Sequence, residues 1–77
     1  STLERFKHQN IILKKFGKDG IVLYKLIKGD ILVSTLKKRV QIPPEVVDEI
    51  ISFMIDQNII EQVEGSENVN EDASGNT

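Results

Sequence analysis

Between residues 44 and 58, hydrophobic and polar side chains alternate with the period of an α-helix. At about 100° per residue the apolar positions cover roughly 200° of a helical wheel, and they are Val46, Val47, Ile50, Ile51, Phe53, Met54 and Ile55. The remaining arc is polar and mostly acidic, and it consists of Glu45, Asp48, Glu49, Ser52 and Asp56. Pro44 suits a first turn, where no backbone N–H is needed, and Asn58 suits the end of the helix. The pattern therefore predicts an amphipathic helix with an acidic outer face.

A second helical pattern runs from residue 2 to residue 16. Its main apolar side chains fall on one face of the wheel, and they are Phe6, Ile12, Leu13 and Phe16. Gly17 predicts the end of this helix, and residues 18–20 predict a turn. The next segment, residues 21–28, is short, apolar and β-branched at its start. Periodicity therefore leaves a buried helix and a strand both open for it.

The middle of the chain predicts shorter elements. After a break at Gly29, residues 31–33 form a three-residue apolar run, which predicts a short strand. Ser34 is a suitable N-cap for a helix over residues 35–40. Residues 41–42 predict a turn into the acidic helix. Beyond that helix, residues 59–63 are apolar and β-branched at their start, which predicts a second short strand.

These elements predict one hydrophobic core and one tail. The chain has 77 residues and no cysteine, so the core forms without disulfides and buries only about 60% of the unfolded surface. The residues expected in it are Phe6, Leu13, Phe16, Leu23, Leu26, Ile27, Leu36, Val47, Ile50 and Met54. Residues 1–63 are therefore predicted to form a single domain. Residues 64–77 are acidic and almost without apolar side chains, and they predict a disordered tail.

The order of elements over residues 20–63 resembles the winged helix-turn-helix superfamily. The order is helix, short strand, short helix, tight turn, longer helix and strand. The resemblance implies a mostly α, winged-helix-like domain of three to four helices with a short two-stranded sheet. It makes residues 44–58 the recognition helix and residues 59–63 the start of a wing. The acidic tail follows where the wing would return, so a truncated or absent wing is expected, with the extra N-terminal helix as a cover or dimer element.

Charge divides the chain into two halves. Residues 1–39 hold all ten Lys and Arg residues and three of the twelve carboxylates, whereas residues 40–77 hold the other nine carboxylates. A split of this kind predicts two faces or ends of opposite potential. The alternative is an ordinary solvated surface with an acidic tail.

The composition offers few groups for catalysis or metal binding. A nucleophile–base pair or a zinc site draws on Cys and His, and the chain contains no Cys and only His8, which is predicted to be solvent-exposed on the polar side of the first helix. The four carboxylates of the acidic helix lack the loop of an EF-hand. We therefore expect no enzyme activity, no cofactor, no metal and no small-molecule substrate.

Location can also be predicted from the pattern. No apolar run approaches the roughly 20 residues of a membrane span, and no signal-peptide pattern opens the chain. We therefore expect an intracellular, cytoplasmic protein that does not bind membranes, or an excerpt of one.

Two functions remain as hypotheses. In the first, the domain docks a protein partner, or a second copy of itself, through the acidic face of Glu45, Asp48, Glu49, Ser52 and Asp56. DNA phosphates would be repelled by that face. In the second, it binds nucleic acid non-specifically through its basic half, with the residues Lys7, Lys14, Lys15, Lys18, Lys37, Lys38 and Arg39. Protein interaction is the preferred hypothesis.

Overall fold

Residues 1–63 contain four helices. A computed structural model describes residues 1–63, and the predicted tail, residues 64–77, lies outside the described residues. The helices are α1 (Thr2–Phe16), α2 (Lys18–Leu26), α3 (Val33–Arg39) and α4 (Pro44–Asp56). The prediction of a small, mostly α-helical domain is confirmed. The predicted bounds of α1 are also confirmed, and α4 ends two residues earlier than predicted.

A single residue, Gly17, joins α1 to α2. At the start of α1 the Ser1 hydroxyl accepts a hydrogen bond from the Glu4 backbone N–H at 3.2 Å. At its end the Gly17 N–H donates to the Leu13 carbonyl at 2.9 Å. Gly17 has φ 68° and ψ −145°, a conformation that is open to glycine and strained for residues with a Cβ. The predicted glycine cap is therefore confirmed, whereas the turn predicted over residues 18–20 is wrong because α2 begins at Lys18.

Helix α2 settles the ambiguity of residues 21–28. The segment is helical as far as Leu26, and this helix places Leu23 and Tyr24 in the core. Its first turn lies so close to α1 that a Cβ added to Gly20 would sit 2.5 Å from Cγ2 of Ile12. The absent side chain of Gly20 thus sets how closely the two helices approach.

The two predicted strands do not form in residues 1–63, so the expected two-stranded sheet is wrong there. In the first predicted strand, residues 31–33, the Leu32 carbonyl accepts hydrogen bonds from the N–H groups of Thr35 and Leu36. Leu32 is consequently the N-cap of α3, and Ser34, predicted to be that cap, lies inside the helix. These backbone groups start a helix, and they are not free to pair with another strand.

The second predicted strand is replaced by the end of α4. Asn58 takes a left-handed φ of 59°, its N–H donates to the Ile55 carbonyl, and the Ile59 N–H donates to the Met54 carbonyl at 2.8 Å. This is the hydrogen-bond pattern of a Schellman motif. The Ile60 N–H donates to the same Met54 carbonyl at 3.3 Å. The N–H groups that a β-ladder requires are therefore turned back onto the helix.

The core draws on all four helices and on the α3–α4 turn. Its buried side chains are Ile12, Leu23, Tyr24, Leu36, Ile42, Val47, Ile50, Ile51 and Met54. Of the predicted set, five are confirmed as buried, namely Leu23, Leu36, Val47, Ile50 and Met54. Three more are half-buried, namely Phe16, Leu26 and Ile27.

Two predicted core residues are on the surface. Phe6 is 62% exposed and Leu13 is 51% exposed, whereas Ile12 is fully buried. The cause is the position of α2, which packs against α1 on the side of Ile12 and Phe16. The buried face of α1 is therefore rotated about the helix axis from the face predicted by the helical wheel. It is centred on Ile12, and Phe6 and Leu13 lie at the edge of the buried face.

Candidate interaction surfaces

The outer face of α4 is acidic and exposed. Helix α4 buries Val47, Ile50, Ile51 and Met54, so its opposite side faces solvent. All five residues predicted for partner binding are exposed there: Glu45, Asp48, Glu49, Ser52 and Asp56. The structure thus brings the five together on one helix face. Their role in binding stays a prediction.

One ion pair links this acidic face to the basic residues of α3. Nζ of Lys37 lies 2.9 Å from Oδ1 of Asp48, with the two side chains 31% and 58% exposed. Pairs of this exposure contribute only about 0–1 kcal/mol to stability. The contact matters more for the distribution of charge, because the basic and acidic halves of the sequence meet at the α3–α4 edge. Each charge partly neutralises a residue proposed for the other surface.

The remaining basic candidates occupy two places. Lys38 and Arg39 are exposed at the end of α3, and Lys7, Lys14, Lys15 and Lys18 are exposed on α1 and at the start of α2. Nζ of Lys15 lies 5.4 Å from the ring centroid of Phe53 and 5.8 Å from that of Phe16, distances typical of cation–π contacts. Lys15 and Lys37 thus have contacts within the fold, which leaves five of the seven candidate cations, distributed over α1, α2 and α3.

An apolar groove lies open between α1 and α2. It has a volume of about 510 Å³, and its lining consists of Phe6, Gln9, Asn10, Leu13, Lys18, Ile21 and Val22. Phe6, Leu13 and Val22 are among the most exposed large hydrophobic side chains of the described chain. We refer to these seven residues as the α1–α2 groove. Sequence reasoning missed this groove because it assigned Phe6 and Leu13 to the core.

A second cavity, of about 450 Å³, lies between the α2–α3 loop and the residues after α4. Its walls are mainly aliphatic side chains, among them Ile31, Leu36 and Ile55, and they include Asp30 and Glu61. Both acids are exposed. Gln62 is a further polar residue of the lining.

The described chain contains few groups arranged for chemistry. Residues 1–63 hold no group of three or more His, Asp or Glu side chains placed to bind a metal. Within the same residues no polar or charged side chain is buried. His8 is half-buried, with its ring edge-on to Tyr24 at 6.2 Å between centroids, so the expectation that it is solvent-exposed is wrong.

None of the four described helices combines the length and the apolar character needed to cross a membrane. Comparison of the chain with protein-family models, with curated proteins and with solved structures returns no match.

Proposed function

We propose that this domain is a non-catalytic protein-interaction module. The observation that carries the proposal is the grouping of exposed apolar side chains along α1 and α2. Leu3, Phe6 and Leu13 are each more than half exposed, and Val22 is 44% exposed. Scattered apolar residues are ordinary on a protein surface, whereas grouped ones mark sites where a partner binds.

We further propose that α3 and α4 form the helix-turn-helix part of a winged-helix-type domain, belonging to a larger regulatory or nucleic-acid-handling protein. Residues 40–43 connect the two helices, and Ile42 in this turn is buried, which supports a fixed angle between them. In such a domain α4 would be the recognition helix. Its exposed face carries four carboxylates and no Lys or Arg, and base and phosphate contacts depend mainly on Arg, Lys, Asn and Gln. The charge of α4 therefore favours protein over DNA.

The second candidate is non-specific binding of nucleic acid. It is supported by Lys7, Lys14 and Lys18, which are exposed on neighbouring parts of α1 and α2, and by Lys38 and Arg39 on α3. Non-specific affinity grows with the number of phosphates that are neutralised. The pairing of Lys37 with Asp48 and the acidic face of α4 both reduce that number.

A salt titration with duplex DNA separates the two candidates. For an interaction module we expect a dissociation constant weaker than micromolar at about 150 mM salt. Micromolar or tighter binding that is lost in the triple variant Lys37→Ala, Lys38→Ala, Arg39→Ala would overturn the proposal. The control is the double variant Glu45→Lys, Glu49→Lys, which keeps the Lys37–Asp48 pair and adds positive charge to α4. If nucleic acid is the ligand, this control should bind DNA more tightly than the wild type.

The role of the acidic face has its own test. Reversal of Glu45, Asp48 and Glu49 to Lys should abolish binding of any partner that docks on α4. The fold should remain intact because all three side chains are exposed and the Lys37–Asp48 pair that is lost contributes at most about 1 kcal/mol; circular dichroism verifies this. Unchanged partner binding in the reversed variant would remove α4 from the interface and leave the α1–α2 groove as the docking surface.

A further inference from the structure

The exposed side chains of α1 are spaced for contact with another helix. Leu3, Phe6, Asn10 and Leu13 are separated by three, four and three residues, the spacing of the seam between two packed helices. All four are exposed. Between Leu3 and Leu13 the seam extends for about 15 Å at 1.5 Å per residue. This length corresponds to about three helical turns of a partner.

Helix α2 supplies the second wall. Ile21 and Val22 line the α1–α2 groove from α2, and Phe6 and Leu13 line it from α1. A third helix placed in the groove would touch both walls and complete a bundle of three helices. Its apolar residues would remove Phe6, Leu13 and Val22 from water, and the burial of apolar surface favours association.

The rims of the groove are positively charged. Lys7 and Lys14 each follow a seam residue of α1 in the sequence, and Lys18 lines the groove from α2. Lys25 lies one helical turn after Val22 on the same side of α2, and Asp19 lies one turn before it. Glu4 follows the seam residue Leu3, so the rims carry four lysines against two carboxylates. All four lysines are exposed, and none is in an ion pair with another residue of the described chain. No carboxylate belongs to the groove lining.

This charge selects among the possible occupants. In a two-fold symmetric dimer the same patch of each copy meets its counterpart, so lysine rims would face lysine rims, and juxtaposed like charges oppose association. Residues 64–77 contain one valine and one alanine as their only hydrophobic residues, too few to fill three turns of an apolar seam. A partner helix that carries carboxylates beside its apolar stripe satisfies both the seam and the rims.

We propose that the α1–α2 groove binds an amphipathic helix of a partner protein, with an apolar stripe of about three turns flanked by Asp or Glu. This inference rests on the proposed interaction function and identifies its surface and its ligand. The amides of Gln9 and Asn10 also line the groove and are available to hydrogen-bond polar groups of the partner helix.

Selection from a display library of helix-forming peptides tests the proposal with the full chain as bait. Enriched peptides should carry apolar residues at positions i, i+3 or i+4, and i+7, with carboxylates beside them. Their affinity, measured by fluorescence anisotropy, should fall at least about tenfold in the double variant Phe6→Ser, Leu13→Ser. The matched control is Ile11→Ser, because Ile11 is also exposed on α1, at 39%, but does not line the groove.

Charge variants complete the test. Lys7→Glu, Lys14→Glu and Lys18→Glu together should weaken the selected peptides and remove most of the salt dependence of their binding. The control pair Lys38→Glu, Arg39→Glu on α3 should leave the affinity unchanged. Every substituted side chain is exposed, so each variant should remain folded. Circular dichroism of each variant checks that a loss of binding is not caused by unfolding.

Each alternative outcome has a defined meaning. The groove proposal is overturned if no helical pattern is enriched, or if the peptides bind the Phe6→Ser, Leu13→Ser variant normally. Peptides rich in Lys or Arg whose binding depends on Glu45 and Glu49 would also overturn it, but they would preserve the interaction function and assign it to α4. Concentration-dependent dimerisation that Phe6→Ser, Leu13→Ser abolishes would replace the partner helix by a second copy. Loss of both proposals requires the tight DNA binding described above.

Discussion

Gly17, the residue that joins α1 to α2, has a backbone conformation that L-residues with a Cβ rarely adopt. Its φ of 68° and ψ of −145° are close to the mirror image of the polyproline II conformation. An L-alanine at this position meets no neighbouring atom within 4 Å, so any effect of the substitution comes from the backbone alone. At Gly17, the stability of the protein therefore depends on the chirality of the residue and not on the size of its side chain.

We predict that Gly17→Ala lowers the free energy of unfolding by about 1–3 kcal/mol. A D-alanine at the same position, introduced by chemical ligation, should have no such effect, because positive φ with this ψ is a relaxed conformation for a D-residue. It should raise stability slightly by restricting the unfolded chain. Urea denaturation followed by circular dichroism measures both. Equal stability of the L- and D-alanine proteins would contradict the conformation assigned to Gly17.

Gly20 limits the helix contact by size. An added Cβ would lie 2.5 Å from Cγ2 of Ile12 and 2.9 Å from Cβ of Phe16. Overpacking of this kind costs about 1–3 kcal/mol, whereas the gain in helix propensity from Gly to Ala is at most about 1 kcal/mol. We predict that Gly20→Ala is destabilising in urea denaturation. Asp19→Ala, at the neighbouring exposed position of α2, is the control and should be close to neutral; a stabilised Gly20→Ala protein would show that α1 and α2 are not in close contact.

The two glycines differ in how far the sequence predicts them. Gly17 follows a helical pattern at its end, so its role as a cap can be derived from the sequence. Gly20 carries no such signal, since its importance arises only when α2 lies against α1. The burial of Ile12 and the exposure of Leu13 have the same origin. A wheel gives the apolar side of α1, but the packing of α2 decides which part of that side is covered.

At the scale of elements, the helices with a full amphipathic pattern are the ones that sequence reasoning predicts well. Helices α1 and α4 have 15 and 13 residues, long enough for the pattern to repeat over several turns. The short apolar runs at residues 31–33 and 59–63 have no period to distinguish strand from helix end. Whether such a run forms a strand depends on whether another strand can pair with it. In the described chain the Leu32 carbonyl instead bonds to N–H groups of α3, and the N–H groups of Ile59 and Ile60 bond to a carbonyl of α4.

The packing of α4 gives a prediction at this scale. Ile50 is fully buried near the middle of α4, so Ile50→Ala removes three carbon atoms and leaves a cavity. We expect a loss of about 2–5 kcal/mol in the free energy of unfolding, measured by urea denaturation. Ser52→Ala on the exposed face of the same helix is the control and should change stability by less than about 0.5 kcal/mol. A small effect of Ile50→Ala would contradict the central position of α4 in the core.

For the molecule as a whole, the two candidate surfaces were predictable to different degrees. The acidic face of α4 follows from the sequence because a helix with one apolar side has only one side left for its carboxylates. The α1–α2 groove does not follow, because it depends on the angle between two helices joined by a single residue. The charge split was visible in the sequence, but the contact of Lys37 with Asp48 was not, and it shows that the two halves meet along one edge of the fold.

The acidic segment 64–77 provides the prediction for the whole chain. The buried core residues of the described domain extend from Ile12 to Met54, and the segment adds one valine, one alanine and four carboxylates. Deletion of residues 64–77 should therefore leave the melting temperature nearly unchanged, while the net charge at neutral pH rises by four from −2. The truncated chain should bind duplex DNA more strongly than the full chain at low salt, and the difference should vanish as salt screens it. A full-length variant with the four carboxylates changed to amides is the control, and it should reproduce the change in DNA binding. A fall of many degrees on deletion, absent in the amide variant, would show that the segment packs on the domain through contacts other than charge.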